Sequence, residues 1–249
     1  MRRAALLALQ FLTRIPVRLK TPPEAHELGR SVLFYPLVGL FIGSLLLALQ
    51  QILPATTPLL NAALLIAAWI ALTGALHLDG LADCADAWIG AHGDPERALR
   101  ILKDPCSGPV AVATVSSLLL TKFAALASLP ISTMSHALLA APVAARALLV
   151  AALRLAPQAR AGGLSAERAA SLPTGGALIV TALAGGFVLW IAGISALLAA
   201  LITALIVVAA ARRLLGGITG DVAGALCELS ETAVLIVLAL AAAPGEPLI

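Results

Sequence analysis

Charge is what this chain has little of. Only 12% of its 249 residues are Asp, Glu, Lys or Arg, 61% are apolar, and the mean hydropathy is +1.02. That excludes an ordinary soluble domain and identifies an integral membrane protein. The deficit is uneven, because Ser31 to Ala75 is a run of 45 residues with no charged side chain. Alternating ten-residue segments, the mark of a membrane barrel, are scarce while Ala and Leu abound, so the expected class is all-α. Apolar runs recur along the whole length, which makes residues 1–249 a single integral membrane domain with no room for a soluble one. Cysteine is sparse as well: Cys84, Cys106 and Cys227 are too scattered for a disulfide framework or a zinc site.

The opening MRRAALLALQFLTRIPVRLK has too short an apolar core for a signal peptide, and arginines stand where a cleavage site would lie. It reads as a basic amphipathic helix in the membrane interface. About seven spans follow, near 32–53, 59–76, 109–129, 136–153, 175–193, 195–211 and 222–243, with Pro54 and Pro58 dividing the first two. The stretch 169–211 also allows one span and a re-entrant piece. Lys and Arg collect on alternate loops: Arg2, Arg3, Arg14, Arg18, Lys20 and Arg30; Arg97, Arg100 and Lys103; Arg154, Arg160 and Arg168; Arg212 and Arg213. The loops near 54–58, 130–135 and 194 carry none. The expected topology therefore has a cytoplasmic N-terminus, an outer C-terminus and every polar motif on the cytoplasmic face. Because the basic residues have this topological reason, the net charge of +3 does not point to nucleic acid.

What charge there is falls into two motifs. HLDGLADCAD at 77–86 follows the charge-free run, and at about 100° per residue Asp79, Asp83 and Asp86 share one helical face. Elsewhere such a stripe is a solvated face, but at the mouth of an apolar segment repulsion and desolvation call for a cation. GGITGDVAGALCELSE at 216–231 repeats the logic with Asp221 and Glu228 seven apart and Glu231 one turn on. Its glycines, Gly220 among them, serve either close helix packing or access by a bulky ligand. Oxygen donors without clustered His or Cys favour a hard ion such as Mg²⁺, which completes its shell with substrate phosphates. His77 is a candidate acid or base, although its helical position faces away from Asp79. Lys103 beside Asp104 is either a phosphate contact or a positive-inside anchor. Arg146, inside an apolar span, must snorkel or pair with an acid or phosphate; Arg160 and Lys122 are weaker candidates. Carboxylate pairs, Mg²⁺ and scattered cations suit phosphoryl transfer.

Four segments, LLALQFLTRIPV at 6–17, FYPLVGLFIG at 34–43, TGALHLDGLADCADAW at 73–88 and the 216–231 motif, resemble the cobalamin synthase family of adenosylcobinamide-GDP ribazoletransferases, in order along nearly the whole chain. The resemblance implies a Mg²⁺-dependent membrane enzyme of the last step of cobamide assembly, in which a hydroxyl of α-ribazole or its 5′-phosphate attacks the phosphorus attached to cobinamide and releases GMP. It further implies that Asp79, Asp83 and Asp86 hold Mg²⁺ and the diphosphate, with Asp221 and Glu228 completing the acidic site. One of the carboxylates or His77 would accept the hydroxyl proton. Lys103 with Asp104 matches the family's basic-Asp turn, and Arg146 falls where the family has an arginine within a span. The family usually continues that turn with Asp-Ser-Arg, whereas Pro105, Cys106 and Ser107 stand here, and Ala87 replaces a usual glycine. Self-association, or association with other cobamide-assembly enzymes, is left open. The alternatives are another membrane Mg²⁺-dependent phosphotransferase, or a transporter of a cation or cobamide precursor, which would place its acids nearer the bilayer midplane.

Overall fold

A computed structural model describes residues 1–19, 21–54, 57–160 and 163–242, so Lys20 lies outside the described residues. Among these, eleven helices form and no strand, only an isolated bridge between Gln158 and Ile218. They are α1 (Arg2–Leu12), α2 (Ala25–Val32), α3 (Tyr35–Ile52), α4 (Pro58–Thr73), α5 (Leu76–Gly90), α6 (Pro95–Ile101), α7 (Pro109–Ser128), α8 (Ile131–Leu155), α9 (Leu164–Ala170), α10 (Thr174–Leu215) and α11 (Gly220–Ala242). Prolines in the first turns of α4, α6 and α7 start helices where a missing N–H does no harm. α1 is amphipathic as expected, burying Ala4, Leu7, Ala8 and Leu12 at helical spacing.

α8 is the central pillar, packed by α3, α10 and α11. α3 reaches it through Gly39 and Gly43, where an added Cβ would stand 2.5 Å from the carbonyl oxygens of Pro142 and Leu138 respectively. Pro142 lies inside α8 and has no N–H to offer the Leu138 carbonyl one turn earlier, so the small-residue groove of α3 sits at the one place where α8 is interrupted.

α3, α7, α8, α10 and α11 are long and apolar enough to cross a membrane, and α4 with α5 makes a further candidate only as a pair bent by 91°. At about 1.5 Å per residue a straight α10 would run about 63 Å, twice a bilayer core. It is not straight: Gly193, at φ 79° and ψ 176°, breaks it. Both of its ends lie on one face, because Arg154 Nε donates to Thr174 Oγ1 at 2.8 Å and Ile218 N to the Pro157 carbonyl at 2.8 Å. α10 is therefore a hairpin of two arms that meet at the expected boundary near 194. Five helices have the length and hydropathy of a span, six with the bent α4–α5 pair counted once, against the expected seven; what separates six from seven is the division of α10 into two arms at Gly193. α5, turned through 91° at its break from α4, does not continue α4 in line and lies beyond the expected span 59–76.

The cation-bearing segments converge on the face where α10 begins and ends. Arg160 Nη2 donates to the Leu99 carbonyl at 3.1 Å, Arg168 stacks on Phe11, and Arg14 N donates to the Leu72 carbonyl at 2.8 Å. The gathering agrees with the loop charge pattern, while outward side chains such as Leu183, Trp190 and Leu205 of α10 suit lipid contact.

Candidate functional site

The first acidic motif owes its position to a backbone corner. Gly74 at φ 64° ends α4, and Ala75 follows at φ 59°, a left-handed conformation that costs a residue with a Cβ about 1–2 kcal/mol. The corner aims α5 across the N-terminal turns of α11. Gly80 and Gly224 meet at that crossing: a Cβ on Gly80 would stand 2.7 Å from the Asp221 carbonyl oxygen, and one on Gly224 would stand 3.0 Å from the His77 carbonyl oxygen and 3.2 Å from the Gly80 Cα. The two glycines bring both acidic motifs together.

Asp79 and Asp221 line one cavity of about 200 Å³, shared with His77, Gly220, Tyr35 and Arg168. Asp83 lies close by, its carboxyl pushed up to about 6 by partial burial and then by the negative charges of Asp79, Asp221 and Asp86. Thr219 Oγ1 donates to Asp221 Oδ2 at 3.2 Å and accepts from Val222 N at 3.2 Å, fixing the first turn of α11. Asp86 has another employment: Oδ2 accepts from Gly108 N at 2.5 Å and Oδ1 from Ala111 N at 2.9 Å, so it caps α7 from a neighbouring helix. Among the described residues no three His, Cys, Asp or Glu side chains stand close enough, as they lie, to enclose an ion.

Glu228 is not with the aspartates. It belongs to a buried ionic network in which Lys122 Nζ donates to Glu228 Oε2 and Glu231 Oε2, both at 2.6 Å, and Arg146 pairs with Glu231. Lys122 also sits 4.9 Å from the Trp69 ring centroid. The reason is rise rather than angle: seven residues return to the same helical face but lie about 10 Å farther along the axis. Arg146, expected to hold substrate, is 0% exposed and committed to Glu231, the pairing that its place in a span required. Its Nη2 lies 3.5 Å from His77 Nδ1. Arginine only donates, so Nδ1 is the acceptor and a neutral His77 ring carries its proton on Nε2.

Of the remaining expected residues, Gly220 borders the cavity, with open space where its Cβ would be. Arg160 is near enough for its charge to act on Asp221. Lys103 and Asp104 stand exposed, and Asp104 Oδ1 accepts from Cys106 N at 3.0 Å to close the turn entering α7. Sequence reasoning missed Arg168, Tyr35 and Phe11 as cavity residues, and Glu231 as the centre of the ionic network. Arg168 is one arginine among several in positive loops, and nothing local marks it.

The family model described as cobalamin-5-phosphate synthase matches residues 4–239. Relatives named adenosylcobinamide-GDP ribazoletransferase are similar over nearly the whole chain. The Stutzerimonas stutzeri protein is 52% identical over 237 residues, covering 94% of this chain and 97% of its own. That of Pseudomonas aeruginosa strain UCBPP-PA14 is 51% identical over 242 residues, covering 96% and 98%. That of Pseudomonas fluorescens strain Pf0-1 is 49% identical over 237 residues, covering 94% and 98%. No solved structure matches.

Proposed function

The chain belongs to the cobalamin-5-phosphate synthase family, and from that membership we propose that it is a membrane-embedded adenosylcobinamide-GDP ribazoletransferase. It transfers the phosphocobinamide group of adenosylcobinamide-GDP to a hydroxyl of α-ribazole or α-ribazole 5′-phosphate, with GMP as the leaving group. The observation that carries the reading is near-full-length identity of about half with relatives of that name. The cavity bordered by Asp79 and Asp221 supports it, because phosphoryl transfer needs positioned charges more than covalent chemistry.

Mg²⁺ is part of the proposal. The aspartates offer hard oxygens at one membrane face, and their mutual repulsion at Asp83 favours a cation there. An enclosing cage of three carboxylates is not required, because Mg²⁺ keeps several waters and binds through one or two carboxylates plus phosphates. Two of Asp79, Asp83 and Asp221 would hold the ion together with substrate phosphates, with Asp86 behind them as the cap of α7. Bound there, it would neutralise charge on the phosphoryl oxygens.

The protein's own groups divide the rest. Asp79 borders the cavity and would receive the proton of the attacking hydroxyl. His77, with Nδ1 turned to Arg146, presents Nε2–H and so donates a hydrogen bond rather than accepting the proton. Lys103, Arg160 and Gly220 remain candidates for contact with the nucleotide end. On this reading the chemistry takes place on the cytoplasmic side of the bacterial inner membrane, which the positive charge gathered on this face supports.

The test is turnover by the purified protein in lipid with adenosylcobinamide-GDP, α-ribazole and Mg²⁺, following GMP and cobamide with and without EDTA. Product that disappears on chelation is expected. No product from folded protein would sink the reading.

A further inference from the structure

The cavity that Asp79 and Asp221 border on one side has a second wall of different chemistry. Arg168, from α9, is 7% exposed, and its Nε has no hydrogen-bond partner among the described residues. Its guanidinium carbon lies 3.8 Å from the centroid of the Phe11 ring. Phe11 in turn stacks on Tyr35, with ring centroids 6.1 Å apart and planes 22° from parallel. Tyr35 is 2% exposed, and its hydroxyl is also without a partner among the described residues. All three side chains border the same cavity.

Two polar groups left unsatisfied in one cavity are costly, and a buried cation more so. Stacking on Phe11 does not resolve this, because it uses the face of the guanidinium and none of its five N–H donors. Asp79 and Asp221 share the cavity, yet neither lies within ion-pair distance of Arg168 in the described structure. What satisfies an arginine fork beside a phenol hydroxyl is a multivalent oxyanion, above all a phosphate, which accepts two parallel N–H bonds and a third from the hydroxyl. Carboxylates on one wall and an unpaired guanidinium on the other are the two ends that a metal-bound phosphate would bridge.

We propose that Arg168 and Tyr35 form a phosphate-binding wall of the active-site cavity, with Phe11 holding the guanidinium flat and its N–H edge open to the substrate. The inference rests on the transferase reading. The phosphate is either in the diphosphate of the donor or the 5′-phosphate of the acceptor, and the chemistry required of Arg168 is the same.

The experiment compares wild type with Arg168→Gln, Arg168→Lys and Tyr35→Phe in lipid, using α-ribazole and α-ribazole 5′-phosphate in turn. Thermal stability with and without inorganic pyrophosphate is measured alongside. Loss of a charged hydrogen-bond donor predicts a KM rise of about tenfold or more in Arg168→Gln, less in Arg168→Lys, and a few-fold in Tyr35→Phe. A rise confined to the phosphorylated acceptor assigns the wall to the acceptor. A rise for adenosylcobinamide-GDP with either acceptor assigns it to the donor. Both support the proposal, as does pyrophosphate stabilisation of wild type that Arg168→Gln loses. Unchanged KM values in active, folded variants overturn it. Should Arg168→Gln fail to fold, an unchanged KM in Tyr35→Phe with no pyrophosphate shift in wild type overturns it equally. Pyrophosphate stabilisation in a wild type without turnover would keep the anion site and discard the transferase reading.

Discussion

Asp79 and Glu231 carry the same charge in opposite circumstances. Asp79 is exposed and borders three cavities around the mouth of the bundle, so its oxygens are available to ligand. Asp79→Asn should lower kcat by about a hundredfold or more while leaving thermal stability unchanged, measured as GMP release and unfolding temperature on the same preparation. Glu231 is 0% exposed and accepts from both Lys122 and Arg146. Glu231→Gln leaves two buried cations facing Glu228 alone, and the expected loss is about 3–5 kcal/mol, read as a large fall in unfolding temperature in detergent. Asp83 supplies a pH test. Its folded-state carboxyl is raised from 3.8 to about 6, so the fold holds the proton more tightly than the unfolded chain does, and metal-free stability should fall as pH rises across that interval. Mg²⁺ needs the ionised form, so the stabilisation it confers should grow from pH 5 to pH 7. Equal Mg²⁺ shifts at both pH values would remove Asp83 from the ion site.

Among the elements, the crossing of α5 on α11 decides whether there is a site at all. Gly80 faces the Asp221 backbone, which cannot rotate aside as a side chain could, so a methyl group there must push the helices apart. Gly80→Ala should abolish most turnover and weaken Mg²⁺ binding without preventing membrane insertion. Full activity in that variant would show that the two motifs need not be in contact. The motif residues themselves were legible in the sequence, since charged residues in an apolar chain stand out. Their grouping was legible only in part, because helical angle is periodic and depth is not. Asp221 and Glu228 share a face, yet one reaches the cavity and the other the ionic network.

For the molecule as a whole, the arrangement is a lipid-facing bundle with one polar end. There Arg160 reaches the Leu99 carbonyl of α6 and Arg168 the Phe11 ring of α1, contacts between segments distant in sequence, as positive-inside sorting produces. The three cysteines give a direct test of orientation. Cys84 and Cys227 are buried and Cys106 is exposed, in the turn between α6 and α7 on the polar face. A membrane-impermeant maleimide should label Cys106 only from the cytoplasmic side, whereas a Thr57→Cys variant should label only from outside. Labelling of Cys106 from outside would invert the topology.

By itself the sequence determined the class of molecule, the break near 194 and the two acidic motifs. These depend on local quantities: the apolar length a bilayer demands, the loops that carry cations, and residue types too costly to bury without cause. Only the tertiary structure decided which charges belong together. It moved Glu228 and Arg146 into a neutral buried network, gave Asp86 to the cap of α7, and drew Arg168, Phe11 and Tyr35 into one wall from three separate helices. Charges find partners by distance in three dimensions, and in a helical bundle that distance is set by packing between segments far apart along the chain.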